Sequence, residues 1–339
     1  MPGLDAERRL QTVCLLVLTT FAIAGALYWL SSVMIPFVLA VFLSFAINPV
    51  VGLLTRKARL PRSIAILVVF LFGFLLLPLI GALVSSSARQ LTDNADAYQT
   101  QIGELARGVV DLLPLDRFEA VEEQTRQQLA SIPIGSILAR LANSLVGILS
   151  NAVLVLIFVV FLVIGAGSAE RQGVWAEIQE RVERYLVAKF VISAATGAVV
   201  GAILYSLGVD LALLFGFLAF LLNFIPSIGS IVSTLLPLPV LLVSPDVSAT
   251  TVVLALLLPG AVQLVIGNVV EPKVIGNSLD LHPIAILLAL IFWGVLWGVI
   301  GMVLATPITA VLRILLEQNE LTRPVAHLMA GRFGSPSEP

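Results

Sequence analysis

Residues 283–311 contain no charged side chain. A run of that length is too long for the core helix of a small soluble domain, and a helix needs about 20 apolar residues to cross a bilayer. Comparable segments occupy 12–30, 33–54, 62–84, 147–167, 190–207, 211–224, 228–243 and 248–270. In lipid every backbone N–H and C=O must be satisfied inside its own segment, so runs of this length imply helices. The expected fold class is therefore all-α: a polytopic integral membrane protein.

Composition agrees. Charged residues make up 12% of the 339-residue chain and hydrophobic residues 59%. A soluble domain carries roughly 25% charge, so this chain has too little to wet a globular surface. The formal net charge of −2 gives no basic field for nucleic acid. With one cysteine, Cys14, and two histidines, His282 and His327, neither a disulfide nor a structural metal site is expected. Arg8 and Arg9 precede the first apolar run, and Ala22-Ile23-Ala24 has the form of a cleavage site. The run continues to Leu30 and further spans follow, so an uncleaved first helix is expected.

Lysine and arginine in short loops set orientation. The stretch Arg56-Lys57-Ala58-Arg59-Leu60-Pro61-Arg62 marks a cytoplasmic loop, as do Arg171, Arg181, Arg184 and Lys189 in 168–189. Three N-terminal spans (1–84) then precede a periplasmic arm (85–146), a span (147–167), a cytoplasmic amphipathic helix (168–189), a transport core (190–316) and a cytoplasmic tail (317–339). In the arm, Leu91, Ala95, Tyr98, Ile102, Leu105, Val109 and Leu112 repeat at 4, 3, 4, 3, 4, 3, a heptad seam that needs a partner. Either a neighbouring helix of the same chain or a second subunit can cover it. In 168–189, Trp175, Ile178, Val182 and Tyr185 form one face, which fits a helix lying at the membrane surface. Arg313, Arg323 and Arg332 put the C-terminus inside. Nine full spans would put it outside, so one element of 211–311 must break parity.

The breaks fall where polar residues gather. Asn223-Phe224-Ile225-Pro226-Ser227-Ile228-Gly229 separates two segments that are each short for a span. Pro226 lacks a helix donor and Gly229 is flexible, which reads as a broken helix or re-entrant hairpin. Such breaks persist at membrane depth only where buried or lining a cavity. Asn223, Pro226, Gly229, Gln263, Asn268 and Asn277 are accordingly candidates for a substrate path or gate, with helix-ending or capping roles as the plain alternative. Glu271, Lys273, Asp280 and His282 lie in what reads as a loop between spans. They are candidates for ion or proton coupling, Lys273 being placed to neutralise Glu271; headgroup contact or capping would explain them equally. Asn48, Pro49, Pro272, Pro283, Gly294, Gly298 and Gly301 are candidates for helix packing or hinges, the glycines marking either close packing or a tight bend into two half-helices. No Walker motif, G-x-S-x-G or Ser/His/Asp arrangement is present, so neither an ATP engine nor hydrolase chemistry is expected, nor any cofactor.

The run Glu271-Pro272-Lys273-Val274-Ile275-Gly276-Asn277-Ser278-Leu279-Asp280-Leu281-His282-Pro283, with Phe292-Trp293-Gly294 and 298–307, resembles the signature of the AI-2E family transporters, also called the PerM family. Phe224–Gly229, Asn48-Pro49-Val50 and Leu60-Pro61-Arg62 match further family patterns, although Ser227 stands where relatives often carry an aromatic. The resemblance implies about eight spans, both termini inside, homo-oligomers, and a place in a bacterial inner membrane. It implies export of autoinducer-2 or a similar small polar solute without ATP, or alternatively sodium(lithium)/proton antiport through Glu271 and Asp280. A third expectation, from a different class, is a non-transporting envelope scaffold acting through the 85–146 arm. The partners implied are the lipid bilayer, a small polar solute or monovalent cation, and other copies of the chain through the arm and membrane helices; no nucleic acid is among them.

Overall fold

The structure, a computed structural model, describes residues 2–93, 152–165, 173–244, 247–276 and 279–332. The heptad seam beyond Leu91 and most of the expected arm lie outside these residues, as does Asn277. The chain forms α1 (Pro2–Trp29), α2 (Ser31–Lys57), α3 (Arg62–Asp93), α4 (Ala152–Gly165), α5 (Val174–Ser206), α6 (Ala212–Leu222), α7 (Ile228–Leu235), α8 (Leu238–Val243), α9 (Ala249–Val265), a π-helical turn (Ile266–Val270), α10 (Glu271–Ile275), α11 (Pro283–Glu317) and α12 (Arg323–Met329). No strand occurs among the described residues.

Among the described residues five helices are long and apolar enough to cross a bilayer, α9 and α10 counting as one through the π turn. Their apolar side chains point outward. On α3, Leu67, Leu71, Phe72, Phe74, Leu75 and Leu79 are all exposed. Water would penalise such a surface and hydrocarbon does not. The chain is a polytopic all-α membrane protein.

Two compact units divide the chain. The first comprises 1–49, 153–186 and 277–339. Within it Val155, Val159 and Val163 form the buried stripe of α4. Phe158 meets Phe37 of α2 edge to face at 5.8 Å, a favoured aromatic geometry. The Trp297 indole N–H donates to the Leu27 carbonyl at 3.1 Å, tying α11 to α1.

The charge-free run 283–311 is not one straight helix. Gly298 has φ 62°, ψ −144°, a conformation accessible essentially to glycine alone. The chain turns back there. A Cβ on Gly301 would collide with the Trp293 carbonyl, and one on Gly294 would lie 3.0 Å from Met302 Cε. Residues eight apart in a straight helix stand about 12 Å apart along its axis, so these contacts require two half-helices. Of the two expectations for this glycine set, the tight bend is the one realised.

The second unit comprises 50–152 and 187–276. Val84, Val200, Leu204, Phe215, Ala219, Val240 and Ala255 belong to its core. α5 and α6 meet backbone to backbone, because a Cβ on Gly216 would approach the Gly197 carbonyl to 2.8 Å and the Gly201 Cα to 2.8 Å. Glycine permits that approach where apolar burial alone drives no association in lipid. Asp210 accepts hydrogen bonds from Gln90 of α3 at 3.0 Å and Ser244 after α8 at 3.2 Å, pinning the end of this core.

Two expected boundaries change. The surface helix of 168–189 and the span of 190–207 form one helix from Val174 to Ser206, since no proline or cap separates them. The stretch expected as a loop after Asn268 is helical as far as Ile275. Pro272 lies inside the continuous helical stretch Ala249–Ile275, as the second residue of α10. Asn48 and Pro49 lie inside α2, which continues through them, and the division between the units falls just after Pro49.

Candidate functional site

The break at 223–229 builds one wall of a pocket that is mostly apolar, with a few polar groups on it. α6 ends at Asn223, Ser227 takes a positive φ of 60°, and α7 starts at Ile228. The Ile225 amide donates to the Leu222 carbonyl at 2.8 Å and the Gly229 amide to the Ile225 carbonyl at 3.1 Å. Pro226 offers no N–H, so the α-ladder stops there. A Cβ on Gly229 would collide with the Leu222 carbonyl, so the tightness of this turn depends on that glycine. At 1.5 Å per residue α6 rises only about 16 Å, roughly half of a bilayer core.

α9, the π turn and α10 supply the facing wall through Gly260, Gln263, the adjacent Gly267 and Asn268, and Glu271, which share one helical face. Together with Lys189, Ser230 and Thr234 they enclose about 550 Å³ within the second unit. The π turn brings backbone onto this wall where a proline leaves the ladder one donor short. The Glu271 N–H serves the Ile266 carbonyl, and the next position, Pro272, has no N–H. Whether the ladder counts back four or five residues from Pro272, the carbonyl it skips belongs to Asn268 or Gly267, both on the pocket wall. Carbonyls freed in this way bind polar solutes.

Three side-chain pairs organise the polar groups. Asn223 Nδ2 donates to Ser193 Oγ at 2.9 Å, both residues being buried. Gln263 Nε2 donates to Ser233 Oγ at 2.8 Å, and that hydroxyl donates onward to the Ser230 carbonyl at 3.1 Å. The other end of the Gln263 amide, Oε1, is buried without a hydrogen-bond partner. A buried polar atom in this state costs about 1–3 kcal/mol, which a hydrogen-bond donor would relieve. Lys189 Nζ meets Glu271 Oε1 at 2.5 Å, with the lysine side chain 1% exposed.

Asn223, Pro226, Gln263, Asn268 and Glu271 thus come together on one pocket, with Gly229 behind its turn. Lys273 does not neutralise Glu271: two positions along a helix point to opposite sides, and Lys273 is exposed. The partner is Lys189, which the loop-charge reading had counted as a cytoplasmic mark. A signal for it existed. Ile178, Val182, Tyr185, Lys189, Ile192, Thr196, Val200 and Leu204 recur at helical spacing and are all buried, so Lys189 sits in the apolar stripe of α5. Ser193, Ser230 and Ser233 also went unnoticed, because isolated serines in apolar runs look unremarkable.

Asp280 and His282 belong to the first unit. Asp280, at φ 47°, receives Arg313 Nη2 and Arg332 Nη2, each at 2.8 Å, and Arg313 Nη2 also meets Glu317 at 3.0 Å. His282 is the N-cap of α11: its Nδ1 accepts from the Ile284 amide at 3.3 Å, and its own N–H donates to the Met329 carbonyl at 2.8 Å. Pro283 follows as the first residue of that helix. Among the described residues no group of three His, Cys, Asp or Glu side chains could hold a metal ion.

The sequence profile of the AI-2E family transporters matches residues 16–320. The chain belongs to that family. Being an AI-2E family member, it is a membrane transporter. The "AI-2 transport protein TqsA" of Escherichia coli K12 is 29% identical over 333 residues, covering 95% of this chain and 96% of that one. A "Putative transport protein" of Haemophilus influenzae is 27% identical, covering 88% and 90%. The "Putative transport protein YrrI" of Bacillus subtilis is 25% identical, covering 90% and 94%.

Proposed function

We propose that this AI-2E family member exports a small uncharged polar solute, autoinducer-2 or a similar polyhydroxylated metabolite, through the pocket between the Asn223–Gly229 turn and the α9–α10 wall. The half-spent Gln263 amide carries this reading. A buried acceptor beside a skipped backbone carbonyl matches hydroxyl donors on a solute. With no ATP-binding motif in the sequence, the gradient of the solute itself drives the step. The π turn and Glu271 form the moving wall, since π turns join helical registers that can shift.

The name of the Escherichia coli relative supports autoinducer-2 as the solute. The antiport reading is weaker, because Glu271 is matched by Lys189 and Asp280 by two arginines. The same proposal places the chain in a bacterial inner membrane with both termini cytoplasmic and working as a homo-oligomer. It is tested by binding: autoinducer-2 should raise the melting temperature of the purified protein, and Gln263→Leu should weaken that effect about tenfold in concentration. Equal stabilisation of both proteins would remove Gln263 from the site.

A further inference from the structure

Resting on the reading of this pocket as the solute path, we propose that the Lys189–Glu271 pair is its charge filter, which restricts the path to electroneutral solutes. They are the two charged side chains on the pocket wall. Both residues belong to the same unit, Lys189 in the buried stripe of α5 and Glu271 in the first turn of α10. The ammonium is 1% exposed and meets the carboxylate at 2.5 Å, whereas the carboxylate is partly open to the pocket.

The argument is electrostatic. An ion leaving water for a membrane-embedded pocket loses hydration worth many kcal/mol and needs an opposite charge to compensate. A closed pair offers only a dipole, whose field falls faster with distance than that of a single charge. A sodium ion attracted to Glu271 is repelled by Lys189; a carboxylate meets the reverse. A polyol needs only hydrogen bonds, and Gln263, Ser230 and the carbonyl skipped at Pro272 supply them. The pair thereby rejects ions of both signs while leaving the hydrogen-bonding face untouched. Removing one member would convert the filter into a site for the opposite charge.

The test uses the full chain in sealed liposomes and three probes: erythritol, its carboxylate erythronate, and sodium. The wild type should pass erythritol about tenfold or more faster than either ion. Lys189→Gln should raise sodium flux about tenfold, and Glu271→Gln should raise erythronate flux by a similar factor. Lys189→Gln/Glu271→Gln, which is again neutral, should return to the wild-type preference. If the single variants fail to assemble, Glu271→Asp keeps the test decisive: its shorter side chain withdraws the carboxylate from Lys189, ion flux should rise above the wild type, and unchanged selectivity overturns the filter. A wild type that passes ions as readily as erythritol overturns the filter, as does a double variant that passes them. If the wild type passes none of the probes and no autoinducer-2, the solute-path reading itself fails. If it passes erythritol selectively but single and double variants all keep that preference, the path stands and the filter falls.

Discussion

At the scale of the residue, the account turns on groups that are buried and polar at once. Lys189 and Glu271 stabilise each other, and Lys189 alone would be a buried charge without compensation. Glu271→Met should lower stability by about 3–5 kcal/mol, and Lys189→Met/Glu271→Met should recover most of that loss. Thermal unfolding of the two variants in detergent measures the difference. Asn223 and Gln263 differ in what they have left to offer. The loss on Asn223→Ala should appear in both stability and transport, because it strands Ser193 in the buried core. Gln263→Leu should act mainly on transport, because Oε1 has no protein partner to lose and Ser233 keeps its bond to the Ser230 carbonyl. Asn223, Gln263 and Glu271 were legible from sequence as polar groups beside apolar runs. Lys189 was obscured because charge near a loop was read as topology, although its spacing placed it on the buried stripe of α5. Glu271 was assigned Lys273 because proximity along the chain was taken for proximity in space.

Two sharp reversals decide how the elements pack. Each depends on a glycine pressed against a carbonyl of the preceding helix, Gly229 on Leu222 and Gly301 on Trp293. Gly229→Ala and Gly301→Ala should therefore reduce the yield of folded protein severely, as monitored by size-exclusion chromatography. Gly298→Ala should lose about 1–3 kcal/mol through strain at its positive φ. Gly73→Ala provides the control: its site has nothing within 4 Å, and alanine is the better helix former by about 1 kcal/mol. The proline–glycine break at 223–229 was readable in sequence. The bend at Gly298 could be read only as one of two options, since three glycines at that spacing suit either a straight packed helix or a hairpin. The fusion of 174–189 with the following span was missed because composition changes at 190 while the hydrogen-bond ladder does not.

On the scale of the whole molecule, each unit has its own polar anchor. In the first, Asp280 binds Arg313 and Arg332, and the His282 amide binds the Met329 carbonyl, so α12 clasps the segment that leads into α11. Ending the chain after Glu317 removes Arg332 and Met329 together. Amides of 279–282 should then exchange with deuterium faster by a factor of ten or more, which is about the loss of one charge-assisted and one neutral hydrogen bond. Unchanged exchange would mean that α12 contributes nothing to that segment. The helical membrane class was legible throughout, because apolar runs of bilayer length leave few alternatives. Which polar residues share a pocket was not, because the grouping depends on where the chain reverses.

The central claim is that the pocket between the Asn223–Gly229 turn and the α9–α10 wall carries an uncharged polar solute. The most direct test loads sealed liposomes containing the purified full chain with autoinducer-2 and a pH-sensitive dye. Release is followed for the wild type and for Gln263→Leu while sodium, lithium or potassium is added outside. The account predicts release by the wild type, release slowed about tenfold by Gln263→Leu, and no cation-driven change in internal pH. A sodium- or lithium-driven pH change that is lost on Glu271→Gln, with no autoinducer-2 release, would contradict it and make antiport the function of this chain.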